Sequence, residues 1–491
     1  MKTQLTPPST PSTTIHPNRL RRVRQITTFL RSPLAFFTDC AAYGPDIIHF
    51  RGGRHIYFLN HPDLIEYVLT RTNRMFVQIN STPASLTLRE ALGDGLLMSN
   101  GDLWRRQRRL MQPAFQPGAI AGYGDTMVRC TEEMLTGWQE GELRNIHADM
   151  MALALRMVSE TIIGANMGDH ALRIVEGMDR GMEYFRRRVR LALLPFDIPL
   201  PGKGQFDQGV RELNEVVYKI IRQRQASSTS ATPTTSDKNV GPLVSPTPFF
   251  KERGLGGEVS FEANRTPNSS DLLQRLLDAR DEDGSRMSDR QLRDELVTLF
   301  LAGHETTAVA LSWTLKLIST HPEVENRLLD EYAAVLGTRS ARVEDIPNLR
   351  YTDWVIKEAM RLYPPVWRVG REALEDCEVG GQAIPKGSLI VMSQWTMHRD
   401  VRYWEEPARF RPERWGEDRV KELPRYAYFP FGGGPRQCIG MNFSMMEIAL
   451  ALAAIVPQVH LSLAAGHPIR LQPSITLRPK GGIWMNVHRR S

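Results

Sequence analysis

The chain has 491 residues, 41% of them hydrophobic and 24% charged, with a formal net charge of +7. This composition excludes a disordered chain, a collagen-like fibre and a disulfide-stapled miniprotein. The basic excess sits in short clusters without interleaved aromatics, at 21–24, 105–109 and 186–190. That argues against a nucleic-acid surface and leaves solvated helix faces or an acidic protein partner.

Residues 1–25 are rich in Ser, Thr and Pro and lack an apolar stretch, so a disordered segment is expected and not a signal peptide. Nothing reaches the roughly 18 apolar residues of a spanning helix. The longest run, Ile448–Val456, stops before Pro457. A soluble, cytoplasmic, monomeric protein without a transmembrane anchor is therefore expected. Length alone suggests about three domains, but Pro and Gly are scattered, which leaves a single large domain open. Cys40, Cys130, Cys377 and Cys438 form no CxxC pair and read as free thiols in a reducing compartment.

In chain order, Asp46–Asn60 predicts a hairpin turning at Gly52-Gly53, and His61-Pro62 opens a short helix to about Thr70. Helical periodicity dominates from Leu103 to Tyr218, broken at Pro113, Pro117 and the Pro195–Pro201 loop. Ala226–Pro248 is Ser/Thr/Pro-rich without apolar periodicity, and its polarity continues to about 270, so 226–270 reads as a flexible insertion. Ser288, three residues before Gln291, starts a helix that runs to about Thr320. Such a helix crosses a whole domain at ~1.5 Å per residue and should be buried over much of its length. From Ile384 short strands and turns alternate. A glycine loop and an apolar helix follow, then strands near Ile475–Leu477 and Ile483–Val487.

Three constellations carry chemistry. Cys438 stands in Phe431-Gly-Gly-Gly-Pro-Arg436-Gln-Cys438-Ile-Gly440, between a glycine loop and a helix N-terminus. Loop amides and the helix dipole favour a thiolate there, and the glycines let a flat ligand approach the backbone. A soft metal, above all haem iron, suits such a thiolate. A buried small hydrophobe or a phosphate cradle are the competing readings, although no Lys-Ser/Thr follows the glycines. Second, Ala302-Gly-His-Glu305-Thr306-Thr307 puts a glycine, an acid and hydroxyls inside the long apolar helix. Thr306 can bond back to the Ala302 carbonyl and open a groove, or the motif is a tolerated kink. Third, Glu358 and Arg361, and separately Trp104 and Arg108, lie three and four residues apart on helices and can share a face.

The Cys438 loop resembles the haem-binding signature of the cytochrome P450 family at Phe431, Gly432, Gly434, Arg436, Cys438 and Gly440. The other motifs follow in the family's order, and the resemblance spans about Ile47 to the end. It implies a mainly α fold with small β-sheets, a single large domain over 26–491 and a long central helix over the haem. By that resemblance Cys438 ligates the iron of haem b, and Ala302 faces the ring. Trp104, Arg108, Arg371 and Arg436 bind its propionates. Thr306 steadies bound oxygen and its waters while Glu305 relays protons. Glu358, Arg361 and Arg414 form a structural triad. Leu97, Leu301, Val366 and Ile475, with Ala302, line a pocket for a hydrophobic substrate, although each could equally be ordinary core.

The implied activity is insertion of one oxygen atom from O2 into a fatty acid, alkane, terpenoid or secondary metabolite. No reductase domain is fused, so electrons are expected from an acidic ferredoxin or flavodoxin-type donor with its reductase. Arg105, Arg106 and Arg109 are candidates for docking that donor. A peroxygenase or isomerase of the same fold, or a non-enzymatic haem or lipid carrier, are the alternatives.

Overall fold

The structure is a computed structural model. It describes residues 28–164, 200–230 and 271–490, without 30, 43, 52 and 53, together with 184, 187 and 188. The segment 1–25 and the 231–270 part of the expected insertion lie outside the described residues. The start of that insertion departs from expectation: helix α7 (Lys203–Ser230) continues through Ala226 to Ser230. Ala and Ser extend an established helix at little cost, so polarity alone did not mark its end.

The predicted hairpin forms from β1 (Ile47–Arg51) and β2 (His55–Leu59), paired antiparallel from Ile47↔Leu59 to Arg51↔His55. β2 then runs parallel to β8 (Leu389–Met392), a partner more than 300 residues away in sequence. Next come β5 (Val369–Ala373) and β3 (Phe76–Val77), completing the order β1-β2-β8-β5-β3. Helix α1 (Pro33–Ala42) covers this sheet with Phe36 and Phe37, whose rings meet Phe50 and Phe58. Among the described residues three smaller sheets complete the β structure: β6 (Cys377–Val379) with β7 (Gln382–Ile384), β10 (Arg470–Pro473) with β11 (Leu477–Lys480), and β12 (Trp484–Arg489) between β9 (Val459–Leu463) and β4 (Leu143–Asn145). Ile475 was expected in a strand. It lies in the turn between β10 and β11, because Ser474 N bonds Thr476 O and the ladder closes only at Pro473↔Leu477.

Helices make up the rest. α2 (Pro62–Thr70) and α3 (Pro83–Leu92) each begin with Pro at the first position. There the missing N–H removes no helical bond. His61 caps the first, and Thr82 and Ser85 cap the second reciprocally. α4 (Gly101–Met111), α5 (Gly124–Thr136) and α6 (Ile146–Ile162) follow. The long helix is α8 (Asp289–Ser319), 31 residues and roughly 46 Å. Ser288 accepts from Gln291 N at 3.2 Å, as the sequence predicts. The Gln291 carbonyl does not reach back to the cap; it accepts from Arg106 at 3.0 Å.

α8 is buried because α6, α9 (Pro322–Leu336), α10 (Arg350–Leu362) and α11 (Met441–Ile455) pack around its C-terminal half. Val309, Leu311, Trp313, Leu328, Val355, Ile356, Ile448 and Leu452 share one continuous core there. Its N-terminal half packs against α7 and Leu92, Met98 and Ile162. Among the described residues no helix is long and apolar enough to cross a membrane.

Candidate active site

The loop before α11 is shaped by close approaches. Gly432 and Gly434 have φ of +70° and +64°. Side chains other than glycine avoid that region. A Cβ on Gly434 would also lie 2.1 Å from Leu69 O, at the C-terminal end of α2. The Gly434 N–H donates to the Tyr426 hydroxyl at 3.1 Å, and the Cys438 N–H donates back to Phe431 O at 3.0 Å. These bonds turn the chain so that Cys438 precedes the N-cap of α11, Gly440.

The thiol sits deep in the protein, and burial pushes its pKa up. The Gly440 N–H and the Arg108 charge pull in the opposite direction and are outweighed. The expected anion-favouring groups are therefore present, and full deprotonation falls to a bound metal. Although deep, Cys438 is exposed and so is open to a bound group.

The opposite wall comes from α8. Ala302 is exposed in the middle of an otherwise buried helix, with Leu301, Gly303 and Thr306 half-buried beside it. Thr306 Oγ1 donates to Ala302 O at 2.5 Å, the back-bond its position predicts. Thr307 Oγ1, one residue on, lies 3.2 Å from Ser444 Oγ of α11, so α8 touches the helix that follows the Cys438 loop.

Three arginines border the same region. Arg108 donates to Gln437 O at 3.0 Å. Arg436 donates to Ser99 O at 2.6 Å and Asn100 Oδ1 at 2.8 Å, and its guanidinium lies 4.6 Å from the Trp104 ring centroid. Arg371, in β5, donates to Thr72 Oγ1 at 3.0 Å and Gln78 Oε1 at 3.2 Å. Every partner named is neutral, and among the described residues none of the three forms an ion pair. Burial brings Arg371 down to about 10 and Arg436 to about 9, the latter also repelled by Arg371 and Arg108. Clustered buried cations of this kind call for anions. An exposed alanine, a thiol at a glycine loop and an anion-seeking rim together fit a haem and its two propionates.

Glu305 is placed differently from its neighbour. It is 2% exposed and directed to the β10–β11 hairpin. The Thr476 hydroxyl donates to its Oε1, and Arg478 Nε does so at 2.5 Å. Burial raises its pKa, but Arg478 and Thr476 together outweigh that and hold the carboxyl below its usual range. The same hairpin is fixed by Trp313 Nε1 to Leu477 O at 2.8 Å and by Trp367 Nε1 to Ser474 O at 3.0 Å. Leu477 N also donates to Pro365 O at 2.9 Å. Half-buried Val366 and Ile475 are thereby brought together on segments locked to each other. Leu97 is 40% exposed, in the loop between α3 and α4.

The remaining assignments divide. Glu358, Arg361 and Arg414 meet: Glu358 Oε1 accepts from Arg361 Nη2 at 2.8 Å and from Arg414 Nε at 2.9 Å. Trp415 Nε1 adds a bond to Oε2 at 3.0 Å, a fourth member that the triad pattern did not include. Arg105, Arg106 and Arg109 do not form a free docking patch. Arg105 pairs with Asp102, and Arg106 and Arg109 pair with Asp281 at 2.8 and 2.6 Å. Thr476, Arg478 and the buried acids Glu295 and Glu447 belong to none of the sequence motifs. The signal available was a lone charge in an apolar helix for Glu447 and a run of three charges, Arg293 to Glu295, entering an apolar stretch for Glu295. Burial pushes both carboxyls up to about 8.

A cysteine at a glycine loop, beside a helix with an exposed stretch at Ala302 and a rim of arginines without ion-pair partners among the described residues, defines a haem-thiolate protein. The cytochrome P450 family profile matches residues 25–485. This chain belongs to that family and is a P450 monooxygenase. It is similar to cyclooctatin synthase of Streptomyces melanosporofaciens, 33% identical over 94% of this chain and 93% of that one. It is also similar to cyclooctat-9-en-7-ol 5-monooxygenase of the same organism, 32% identical over 94% and 92%. Pentalenene oxygenase of Streptomyces avermitilis is 30% identical over 92% of this chain and 94% of its own length. Among solved structures, the cytochrome P450DA heme domain matches with a TM-score of 0.79 and 25% identity, covering 99% of this chain and 98% of that one.

Proposed function

We propose that this monooxygenase inserts one oxygen atom of O2 into a cyclic unsaturated hydrocarbon, or the alcohol derived from it, held against α8. The observation that carries the reading is the exposed Ala302 and the Thr306 back-bond on α8, a helix that touches α11 just after the Cys438 loop. Haem b on Cys438 supplies the oxygen-activating chemistry when bound. Arg108, Arg371 and Arg436, with Trp104, hold the propionates and fix the ring. Thr306 keeps a hydroxyl at the groove, and Glu305, one residue before it, would have to leave Arg478 and Thr476 to move protons to it. Ala302 leaves room where a larger side chain would fill the cavity.

Leu97, Leu301, Val366 and Ile475 present only hydrocarbon, which suits an apolar substrate. Three relatives are named for cyclooctatin, cyclooctat-9-en-7-ol and pentalenene, the last two names denoting an alkenol and an alkene. That narrows the substrate class in favour of rings over open-chain acids. Electrons come from a separate acidic ferredoxin or flavodoxin-type donor with its reductase, in keeping with the chain's net positive charge.

The test is titration of purified holoprotein with pentalenene, cyclooctat-9-en-7-ol and palmitic acid, followed by turnover with a surrogate ferredoxin and its reductase. A Soret shift and a product one oxygen atom heavier are expected with a cyclic substrate. Response to palmitic acid alone would overturn the substrate assignment.

A further inference from the structure

Arg293, Asp294 and Glu295 are consecutive charged residues at the start of α8, and all three are buried. Charges are kept inside a protein only when they are partnered. Their partners come from the end of α3, the loop that follows it, and Asn214 of α7. Arg293 Nη2 donates to Ala91 O at 2.6 Å, and Asp294 Oδ2 accepts from Asp94 N at 2.9 Å. Glu295 Oε2 accepts from Leu96 N at 2.9 Å. Arg293 also closes on Asp294 Oδ1 at 2.8 Å, which neutralises that pair within the helix.

The loop lies as close to α8 as backbone allows. A Cβ on Gly95 would stand 2.3 Å from Thr298 Oγ1 and 2.6 Å from Asp294 O, and one on Gly93 would stand 2.1 Å from Asp294 Oδ1. From the other side, Arg436 Nη1 donates to Leu96 O at 3.4 Å, and Gln107 Nε2 donates to Asp94 O at 2.6 Å. Residue 96 is thus gripped at its N–H by Glu295 and at its C=O by an arginine of the propionate rim. Leu96 and Leu301 pack against the same hydrophobic cluster.

We propose that Glu295, supported by Asp294, is a positioning residue for the substrate pocket: it holds the 93–97 loop on α8 and so sets where Leu96 and Leu97 stand. The proposal rests on Leu97 being a pocket residue, as in the function proposed above. Glu295 Oε1 has no hydrogen-bond partner among the described residues. The requirement is therefore one acceptor oxygen at Oε2 and not the charge. Glutamine supplies that oxygen and leucine does not.

The test uses holoprotein and two direct haem-iron ligands, phenylimidazole and imidazole, followed by Soret titration. Phenylimidazole carries a phenyl ring that must be housed in the pocket and imidazole does not, so their affinity ratio reads pocket shape whatever the natural substrate. Glu295→Leu should weaken phenylimidazole relative to imidazole about tenfold, the loss expected for one buried hydrogen bond. Glu295→Gln should stay close to the parent. Gly95→Ala forces the loop off α8 with both acids intact and should reproduce the leucine result, which covers the case in which Glu295→Leu does not fold. Parental ratios in Glu295→Leu and Gly95→Ala, or an equal loss in Glu295→Gln, would overturn the proposal. Failure of pentalenene to bind the parent would instead count against the function proposed above and leave this ratio to be read.

Discussion

Glu358 has no exposed side-chain surface, yet it faces two guanidinium groups and an indole N–H. Five hydrogen bonds, from Arg361 Nε and Nη2, Arg414 Nε, Trp415 Nε1 and the Arg411 N–H, compensate the loss of water. Replacing it with alanine leaves Arg361 and Arg414, both buried, pressed together without an anion. Truncating one member of such a group destabilises a protein by about 3–5 kcal/mol. Glu358→Ala should therefore show a large drop in thermal midpoint together with haem loss on gel filtration. A variant that melts with the parent and keeps its haem would remove the triad's structural role. Glu358, Cys438 and Thr306 were legible in the sequence because each sits in a fixed local spacing. The partners of Glu305 were not, since Thr476 and Arg478 lie more than 170 residues further along. Nothing local to Glu305 distinguishes an acid facing the groove from one facing a hairpin.

The contact between α8 and the β10–β11 hairpin has its own titration behaviour. In the parent, the carboxyl of Glu305 lies below its usual range, so the pair contributes stability above the unfolded pKa of about 4.3. That contribution is lost as pH falls through the folded value. In Arg478→Gln only burial and the weaker donors remain, and the carboxyl should move above its usual range. Stability then falls as pH rises, so the gap between parent and variant should be small near pH 4 and grow toward neutrality. Thermal midpoints measured across that range check the sign; a gap independent of pH would contradict it. At this scale the sequence was informative about α8, whose cap at Ser288 and end near Thr320 follow from local chemistry. It misplaced Ile475 because the ends of β10 and β11 are set by pairing register and by Trp313 and Trp367, which meet the hairpin from distant elements. It also stopped α7 early, since composition measures polarity and not whether a helix already under way must end.

Over the whole molecule, length pointed to several domains, whereas α8 threads one continuous core and joins the cysteine helix to the pocket walls. The basic clusters were a weaker guide: Arg105, Arg106 and Arg109 are answered by Asp102, Asp281 and Glu282, so net charge overstates what that face offers an acidic donor. The pieces converge on Cys438. The glycine loop presents it, the exposed stretch of α8 faces it, and the arginine rim is anion-poor without a haem. The most direct measurement is the Soret spectrum of the reduced, CO-bound holoprotein beside that of Cys438→Ser with matched haem content. The parent should absorb at the thiolate-ligated position, and the serine variant should lose that band and its monooxygenase turnover. A variant with the parent's spectrum, or a parent that never shows the thiolate band, would contradict ligation by Cys438.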